Sequence, residues 1–208
     1  MSKKEAPLEA LRSFLPEGTF EKLSTYIHEH NIHLTITRAR TSVLGDYRNA
    51  VQGKNHRISV NGNLNKFAFL YTLIHEIAHL LTFTTYGHKV PSHGKEWKQQ
   101  FSALLKEFVH ADVFPPDIRK AIAESMNNPS ASSCAEDGLL RVFRRYDLGK
   151  KDIFFVEELE QGEYFQLTDG RVFRREEKLR KRFRCLEVSN GKVYLFSPVY
   201  EVKKYFGL

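Results

Sequence analysis

Five consecutive residues in the first half of the chain, His75-Glu76-Ile77-Ala78-His79, have the types and spacing of a metal-dependent hydrolytic centre. Residues four apart lie on one face of a helix, so the imidazoles of His75 and His79 can meet a single metal ion. Glu76 lies about 100° around the helix, where its carboxylate can reach a water molecule on the metal without being a ligand. The pattern predicts one Zn²⁺ ion held by His75 and His79, with Glu76 as general base and acid.

A catalytic zinc ion usually has three protein ligands and one position left for water. We favour His93 as the third ligand, because it lies in a Ser-His-Gly turn beyond the helix, where the chain can reverse toward the metal. His88 is an alternative that follows the helix end more closely, and a carboxylate from Glu96 or Glu107 is another. For stabilising the oxyanion, Tyr86 and His88 are both near in sequence, and the sequence does not choose between them.

The elements that must position these residues follow from the spacing of apolar side chains. Helical spacing predicts two short helices before residue 28, and alternation then predicts two or three strands between Ile32 and Val60. Asn65 caps a predicted helix over Lys66–Tyr86 that ends at Gly87. Because this helix is apolar almost all round, we expect it to be buried in the middle of its domain. Further helices are predicted over Lys95–Val109 and after Pro116.

Composition narrows the class of protein. The chain has 208 residues, of which 41% are hydrophobic and 27% charged, so it can bury a core and is not of the disordered class. The longest apolar run, Phe67–Ile74, is far shorter than the roughly 20 residues of a membrane span. Charges at Glu5, Glu9 and Arg12 interrupt any secretory leader, so we expect a cytoplasmic protein without a membrane partner.

The second half of the chain has a different pattern. A run rich in Asn, Ser and Pro predicts a linker over 128–136, which separates a first domain, 1–127, from a small β domain, 137–208. The Asp169-Gly170 and Asn190-Gly191 pairs are typical of hairpins. Strands are predicted over Leu140–Tyr146, Ile153–Val156, Tyr164–Leu167, Val172–Arg174, Phe183–Val188 and Val193–Phe196. The fold class is therefore α+β, with a small antiparallel sheet in the first domain.

The two-part motif, His75–His79 followed by Ser92-His93-Gly94-Lys95-Glu96-Trp97, resembles that of the SprT/Spartan-type zinc metalloproteases. The similarity extends upstream through Thr37–Arg40 and Ile58–Asn61 and covers roughly residues 10–125. The resemblance implies a zincin-like domain in which His75, His79 and His93 bind zinc and Glu76 is catalytic. It also implies that the substrates are proteins crosslinked to DNA or tightly bound on it.

The resemblance is to the bacterial type, whose members often end in a zinc ribbon with two cysteine pairs. This chain has only Cys134 and Cys185, so it offers neither a ribbon site nor a disulfide framework. The region around Phe183–Phe196 looks like such a ribbon that has lost its cysteines. The resemblance therefore implies that 137–208 is a degenerate, zinc-ribbon-like domain held together by apolar burial.

A basic segment, Arg171–Arg184, contains eight basic and two acidic residues within a chain of net charge +7. Phe173 and Phe183 interleave with the charges, as in surfaces that stack on unpaired bases. Alternatively, the segment is a solvated strand and turn whose aromatics face the core. The candidate DNA contacts are Arg171, Arg174, Arg175, Lys178, Arg180, Lys181, Arg182 and Arg184.

Three functions fit these observations. The first is a zinc-dependent endopeptidase acting on protein substrates, with DNA as a further partner. The second is a nucleic-acid-binding protein whose zinc site is structural, and the third is an inert regulatory scaffold. The sequence favours the first, because a structural site has no use for Glu76 beside the ligands.

Overall fold

The computed structural model describes residues 7–40, 43–51, 53–109, 112–126, 137–149 and 152–207. The chain forms two compact units, residues 1–147 and residues 148–208. The mixture of helices with two sheets agrees with the α+β class. The predicted linker, 128–136, lies outside the described residues.

The first unit contains most of the helices. In chain order its elements are a 3₁₀-helix (Leu8–Phe14), α1 (Phe20–Glu29), β1 (Ile32–Thr37), β2 (Gly45–Arg48), β3 (His56–Asn61), α2 (Lys66–Tyr86), α3 (Lys95–Val109), α4 (Pro116–Met126) and α5 (Asp137–Arg144). The helices predicted over Lys66–Tyr86 and Lys95–Val109 are both present with those bounds.

The three strands form one mixed sheet in the order β1-β3-β2. β2 is antiparallel to β3, but β1 and β3 are parallel, so the expectation of an antiparallel sheet is wrong in part. Alternation of apolar residues identifies strands but not their neighbours, and here β3 lies between the two strands that precede it. This order leaves β2 at an edge of the sheet.

α2 is the central helix of the first unit. The Asn65 side chain accepts hydrogen bonds from the backbone N–H groups of Phe67 and Ala68, and the helix ends at Gly87, whose φ is +61°. Length and hydropathy alone would allow α2 to cross a membrane, but 72% of its most apolar window is buried inside the protein. A core helix passes the same test, and burial on this scale is what the all-round apolar pattern predicts.

Residues 137–147 belong to this first unit rather than to the β region. The predicted strand over Leu140–Tyr146 is wrong, because these residues lie in α5 and the turn after it. Leu139 and Phe143 are four apart and both buried, which is helical spacing. The Phe143 ring packs 5.5 Å from that of Tyr71 on α2.

The second unit is built on one antiparallel sheet. Its elements are β4 (Ile153–Phe155), a 3₁₀-helix (Val156–Glu158), β5 (Tyr164–Gln166), β6 (Val172–Leu179), β7 (Arg182–Glu187), β8 (Val193–Phe196) and β9 (Glu201–Lys204). The strand order is β4-β9-β5-β6-β7-β8. Five of these strands are predicted; β9 is missed, because only Val202 in it is buried and its alternation is weak.

The core of the second unit is aromatic, with Phe165, Phe173 and Phe183 among its buried side chains. Cys185 is fully buried there, and burial raises the pKa of its thiol to about 12, so it is an inert core residue. Cys134 lies outside the described residues. The likeness to a zinc ribbon is not confirmed and stays a prediction.

Candidate metal centre

Three histidines from α2 and the turn before α3 converge on one point. His75 Nε2 lies 3.2 Å from His79 Nε2 and 3.4 Å from His93 Nε2. All three offer a ligand atom within 4.8 Å of the others, the only such group found among the described residues. The structure thus brings together the three residues that the sequence selected, and their role as ligands stays a prediction.

The spacing of these nitrogens fits a metal ion. Two nitrogens bonded at about 2.0–2.1 Å to one tetrahedral zinc ion lie about 3.3–3.4 Å apart, close to both measured separations. Three neutral imidazoles cannot all hydrogen-bond to one another through these Nε2 atoms. At least one nitrogen lone pair is left facing another lone pair, with no proton between them. A cation bound between them removes that conflict. Imidazole ligands suit Zn²⁺, although they also suit copper, iron and nickel.

Burial keeps the rings in the form that binds metals. Burial, followed by the neighbouring imidazoles, lowers the pKa of His75 to about 3 and that of His79 to about 4. Burial also lowers the pKa of His93. All three rings are therefore neutral at pH 7, as metal ligation requires. A hydrogen bond between the Ser92 backbone and the His79 side chain fixes the orientation of the His79 ring.

Trp97 forms the wall of the centre. Its ring centroid lies 4.6 Å from His75, 5.3 Å from His79 and 4.8 Å from His93, and it stacks on Phe101. Trp97 is fully buried, so water cannot approach the three imidazoles from this side. Its indole N–H has no hydrogen-bond partner among the described residues. One side chain from α3 thereby fixes the orientation of all three rings.

Glu76 is buried beside the histidines, with 5% of its surface exposed. Its carboxylate lies against Gly45 of β2: a Cβ at Gly45 would be 2.5 Å from Glu76 Oε1 and 2.8 Å from Thr72 Cγ2. Only glycine leaves room for the carboxylate at this place. Burial raises the pKa of Glu76 to about 8, with a smaller increase from the charge of Asp46 and an opposing effect of Arg40. The sequence did not single out Gly45, because its importance depends on which helix residue it faces.

A hydrogen-bond network holds the backbone that leads into β2. Arg40 Nε donates to Asn61 Oδ1 at 2.7 Å, and Arg40 Nη1 donates to Ser59 Oγ at 3.0 Å. Asn61 Nδ2 in turn donates to the carbonyl oxygen of Val43 at 3.0 Å. The network ties the approach to Gly45 onto β3, so the distance between β2 and α2 is set by polar contacts as well as packing.

Tyr47 is a second residue that sequence reasoning missed. Its ring lies parallel to that of His79 at 6.3 Å, on the α2-facing side of β2. Its hydroxyl hydrogen-bonds to His56 Nδ1 at 3.0 Å, and the backbone N–H of Ala50 donates to the same nitrogen. Because a backbone N–H can only donate, Nδ1 is the acceptor, and Tyr47 donates to it as well. The HExxH motif carries no signal for this contact, which comes from the strand register.

The other candidate ligands do not join the group. The ring of His88 packs on Phe83 at 5.0 Å, and Glu107 forms an ion pair with Lys22 at 2.7 Å. Neither these two residues nor Glu96 belongs to the three-histidine group. Tyr86, the other oxyanion candidate, lies at the end of α2 with 36% of its surface exposed.

The candidate DNA contacts lie on β6, β7 and the turn between them. Phe173 and Phe183 are buried in the second unit's core, so the expectation that they stack on bases is wrong. The two rings are buried rather than exposed for stacking, because they alternate with charged residues on strands that have only one covered face. Three of the basic residues are held by carboxylates, in the pairs Arg171–Asp169, Arg174–Glu176 and Arg184–Glu177. Arg175 and Lys178 lie over the Phe183 ring, while Arg180, Lys181 and Arg182 are exposed. A DNA-binding role stays a prediction.

An α+β unit in which two imidazoles of the core helix and a third from the turn before α3 converge beside a buried carboxylate has the features of a metalloprotease-type protein. A model of the SprT-like family matches residues 11–119, slightly more than half of the chain. The chain belongs to the SprT-like family, as its motifs indicated. No curated protein and no solved structure matches it.

The geometry predicts that the protein binds one equivalent of Zn²⁺. We expect His93→Ala to lower zinc affinity by at least about tenfold, because one of three ligands is lost. His88→Ala is the matched control, since its ring packs on Phe83 instead, and it should bind zinc like the parent protein. The measurement is metal content after dialysis against a chelator series. Equal zinc retention by the two variants would rule out His93 as a ligand.

Gly45→Ala should place a methyl group in the space of the Glu76 carboxylate. We expect the free energy of unfolding to fall by about 1–3 kcal/mol, as for other overpacked sites, because either β2 or the Glu76 carboxylate must shift. Gly138→Ala is the control, because its Cβ would meet no atom within 4 Å. Urea unfolding of both variants tests this. Equal unfolding free energies for Gly45→Ala and Gly138→Ala would show that β2 does not confine Glu76.

Glu76→Gln should stabilise the metal-free protein at high pH. The raised pKa means that the folded state holds a proton on Glu76 that the unfolded state releases above pH 4.5. Stability from this group is therefore complete below pH 4.5 and is lost as pH rises to about 8, by at most about 1.4 kcal/mol per pH unit. We expect the variant to exceed the parent in unfolding free energy at pH 8, with little difference at pH 4.5. A pH-independent difference, measured in chelator, would contradict burial as the cause.

Proposed function

We propose that the protein is a zinc-dependent endopeptidase. The observation that carries the proposal is the convergence of three neutral imidazoles beside the buried carboxylate of Glu76. A purely structural site needs a fourth protein ligand and no neighbouring base. Here three histidines form the group among the described residues, and Glu76 follows the first of them directly in α2.

The residues of the chain divide the chemistry between them. His75, His79 and His93 would hold the ion, which when bound supplies Lewis acidity and lowers the pKa of a coordinated water. Glu76 accepts the proton of the attacking water and later delivers it to the nitrogen of the leaving amine. Glu76 would be ionised beside a bound ion, because a nearby positive charge lowers the pKa of a carboxylate from the value set by burial. Trp97 excludes water from the covered side.

The edge of β2 is where a substrate would bind. β2 is the edge strand of its sheet, with Gly45 next to Glu76 and Tyr47 next to His79. An extended peptide can add to such an edge through main-chain hydrogen bonds, which brings a backbone carbonyl to the catalytic group without requiring one particular side chain. An open cleft of about 440 Å³ lies past the end of β2, where it is lined by residues that include Asn31, Lys54 and Thr84.

We further propose that the protein substrates are bound on DNA or crosslinked to it. The support is the likeness of the two-part motif to SprT/Spartan-type proteases, together with a net charge of +7 that attracts a polyanion. The exposed basic residues between β6 and β7 are available for phosphate contacts. Because the aromatics there are buried, such binding would depend on charge and would weaken steeply with salt.

The test uses the full-length protein loaded with zinc and β-casein as an unfolded substrate, with and without single-stranded DNA. The parent should cleave casein, whereas Glu76→Gln should lose at least about 10³-fold in rate, because the proton transfer is lost. Glu76→Gln should still bind one zinc ion, since it is not a ligand. DNA is expected to increase the rate of cleavage by the parent.

Glu124→Gln is the matched control, because Glu124 is an exposed residue of α4, and its activity should equal that of the parent. Cleavage by the parent and Glu76→Gln at the same rate would exclude the proposed mechanism. A zinc-loaded parent that cleaves nothing but binds DNA would instead support the nucleic-acid-binding function. A rate unchanged by DNA would remove only the DNA-related part of the proposal.

A further inference from the structure

The edge strand β8 of the second unit is unusually apolar. Val193 and Leu195 are each about half exposed, at 49% and 50%, whereas Phe196, in the same strand, is buried in the core. An antiparallel strand with one covered face normally carries polar residues on the other face. Edge strands in particular are usually protected by charges, proline or bulges, because an unprotected edge invites another strand. β8 therefore has apolar residues on both faces and no protecting charge within the strand.

The backbone of β8 is oriented to accept a further strand. β7 lies on one side of β8, and no described strand pairs with the other side. The N–H of Glu187 donates to the carbonyl of Lys192, which marks a hydrogen-bonded position at the start of the ladder. Hydrogen-bonded pairs alternate along an antiparallel ladder, so Cys185↔Tyr194 is the next one. The N–H and C=O groups of Val193 and Leu195 consequently point away from β7, toward the open edge.

Basic side chains border this edge. Leu195 is paired across the ladder with Arg184, and Arg182 lies on the same face of β7. Arg182 Nη1 is 3.5 Å from the carbonyl oxygen of Leu195, so its guanidinium already covers part of the edge. Arg180 and Lys181 are exposed in the turn before β7. Glu177, which binds Arg184 at 3.1 Å, is the acidic residue within this group.

These features favour a protein partner over the two other possible occupants. Unpaired bases would need exposed aromatic rings, but Phe173 and Phe183 are buried and the exposed apolar residues are aliphatic. A second copy of the chain would bring its own Arg182 and Arg184 to the same edge, and like charges across an interface are unfavourable. An acidic segment instead complements the arginines and can take over the guanidinium of Arg182.

We propose that β8 is a docking edge for an extended segment of a partner protein in which acidic and aliphatic residues alternate. The segment adds as a further strand beside β8, with its main chain bonded to Val193 and Leu195. Its aliphatic side chains lie on the exposed surface of those two residues, and its carboxylates meet Arg182 and Arg184. The docking edge lies in the second unit and does not depend on the proposed peptidase activity.

The test is fluorescence anisotropy of the full-length protein with a fluorescein-labelled peptide of sequence EVDVEVD. We expect saturable binding, with KVKVKVK and a labelled single-stranded oligonucleotide as comparison probes.

Arg182→Glu should weaken binding of the acidic peptide by about tenfold or more, which corresponds to the loss of one charge pair. Leu195→Pro should weaken it similarly, because proline removes an N–H that points to the open edge and is tolerated on edge strands. Lys203→Glu is the control for net charge, as Lys203 is an exposed residue of β9, and it should have little effect.

Three kinds of outcome would overturn the proposal. The first is absence of saturable binding of the acidic peptide, or equal weakening by Arg182→Glu and Lys203→Glu. The second is binding of the oligonucleotide, but not the peptide, that is lost in Arg182→Glu and Leu195→Pro, which would make the edge a nucleic-acid surface. The third is concentration-dependent dimerisation in sedimentation that Leu195→Pro abolishes, which would assign the edge to a second copy. If Leu195→Pro unfolds in circular dichroism, Leu195→Glu replaces it, since that side chain is half exposed.

Discussion

The burial of a polar motif within an apolar helix is the constraint on which the first unit depends. Two imidazoles and a carboxylate in the middle of α2 are costly to remove from water unless other groups satisfy them. In the structure, the two imidazoles lie together at a single site. His93 returns from the turn before α3 to meet His75 and His79, and Trp97 encloses all three rings. The pairing of α2 with α3 is therefore a requirement of the centre as well as of the core.

The small sheet serves the same constraint from the opposite side. Its β2 edge must come close enough to cover Glu76, and it can do so only because Gly45 has no side chain. The Arg40 and Asn61 side chains hold the approach to that glycine. The close fit that raises the pKa of Glu76 also places an edge strand of the described sheet beside this carboxylate. In the proposed function, the same arrangement would provide both the base and the place for an extended substrate.

The second unit has a separate physical basis. Its core is mainly aromatic, with Phe165 stacked on Phe173 and Phe196 edge-on to both rings. The arginines and lysines of β6 and β7 alternate with the core aromatics because the sheet has one covered face. The same segment that suggests base stacking in sequence is therefore a core segment with charged outer positions. Several of the charges are neutralised by neighbouring carboxylates, whereas Arg180 and Lys181 in the turn before β7 are exposed.

Local spacing alone determined much of this protein: the HExxH motif, the bounds of α2 and α3, the cap at Asn65 and five strands of the second unit follow from short-range periodicity and turn chemistry. The family followed from the same motif. The tertiary structure decided what depends on contacts between distant residues. It decided that β1 and β3 are parallel, that residues 137–144 form a helix that packs on α2, and that His93 rather than His88 joins the cluster. The roles of Gly45 and Tyr47 depend on the packing of β2 against α2. They could not be predicted, because the neighbouring sequence of a residue does not indicate which side chain it contacts in the folded protein.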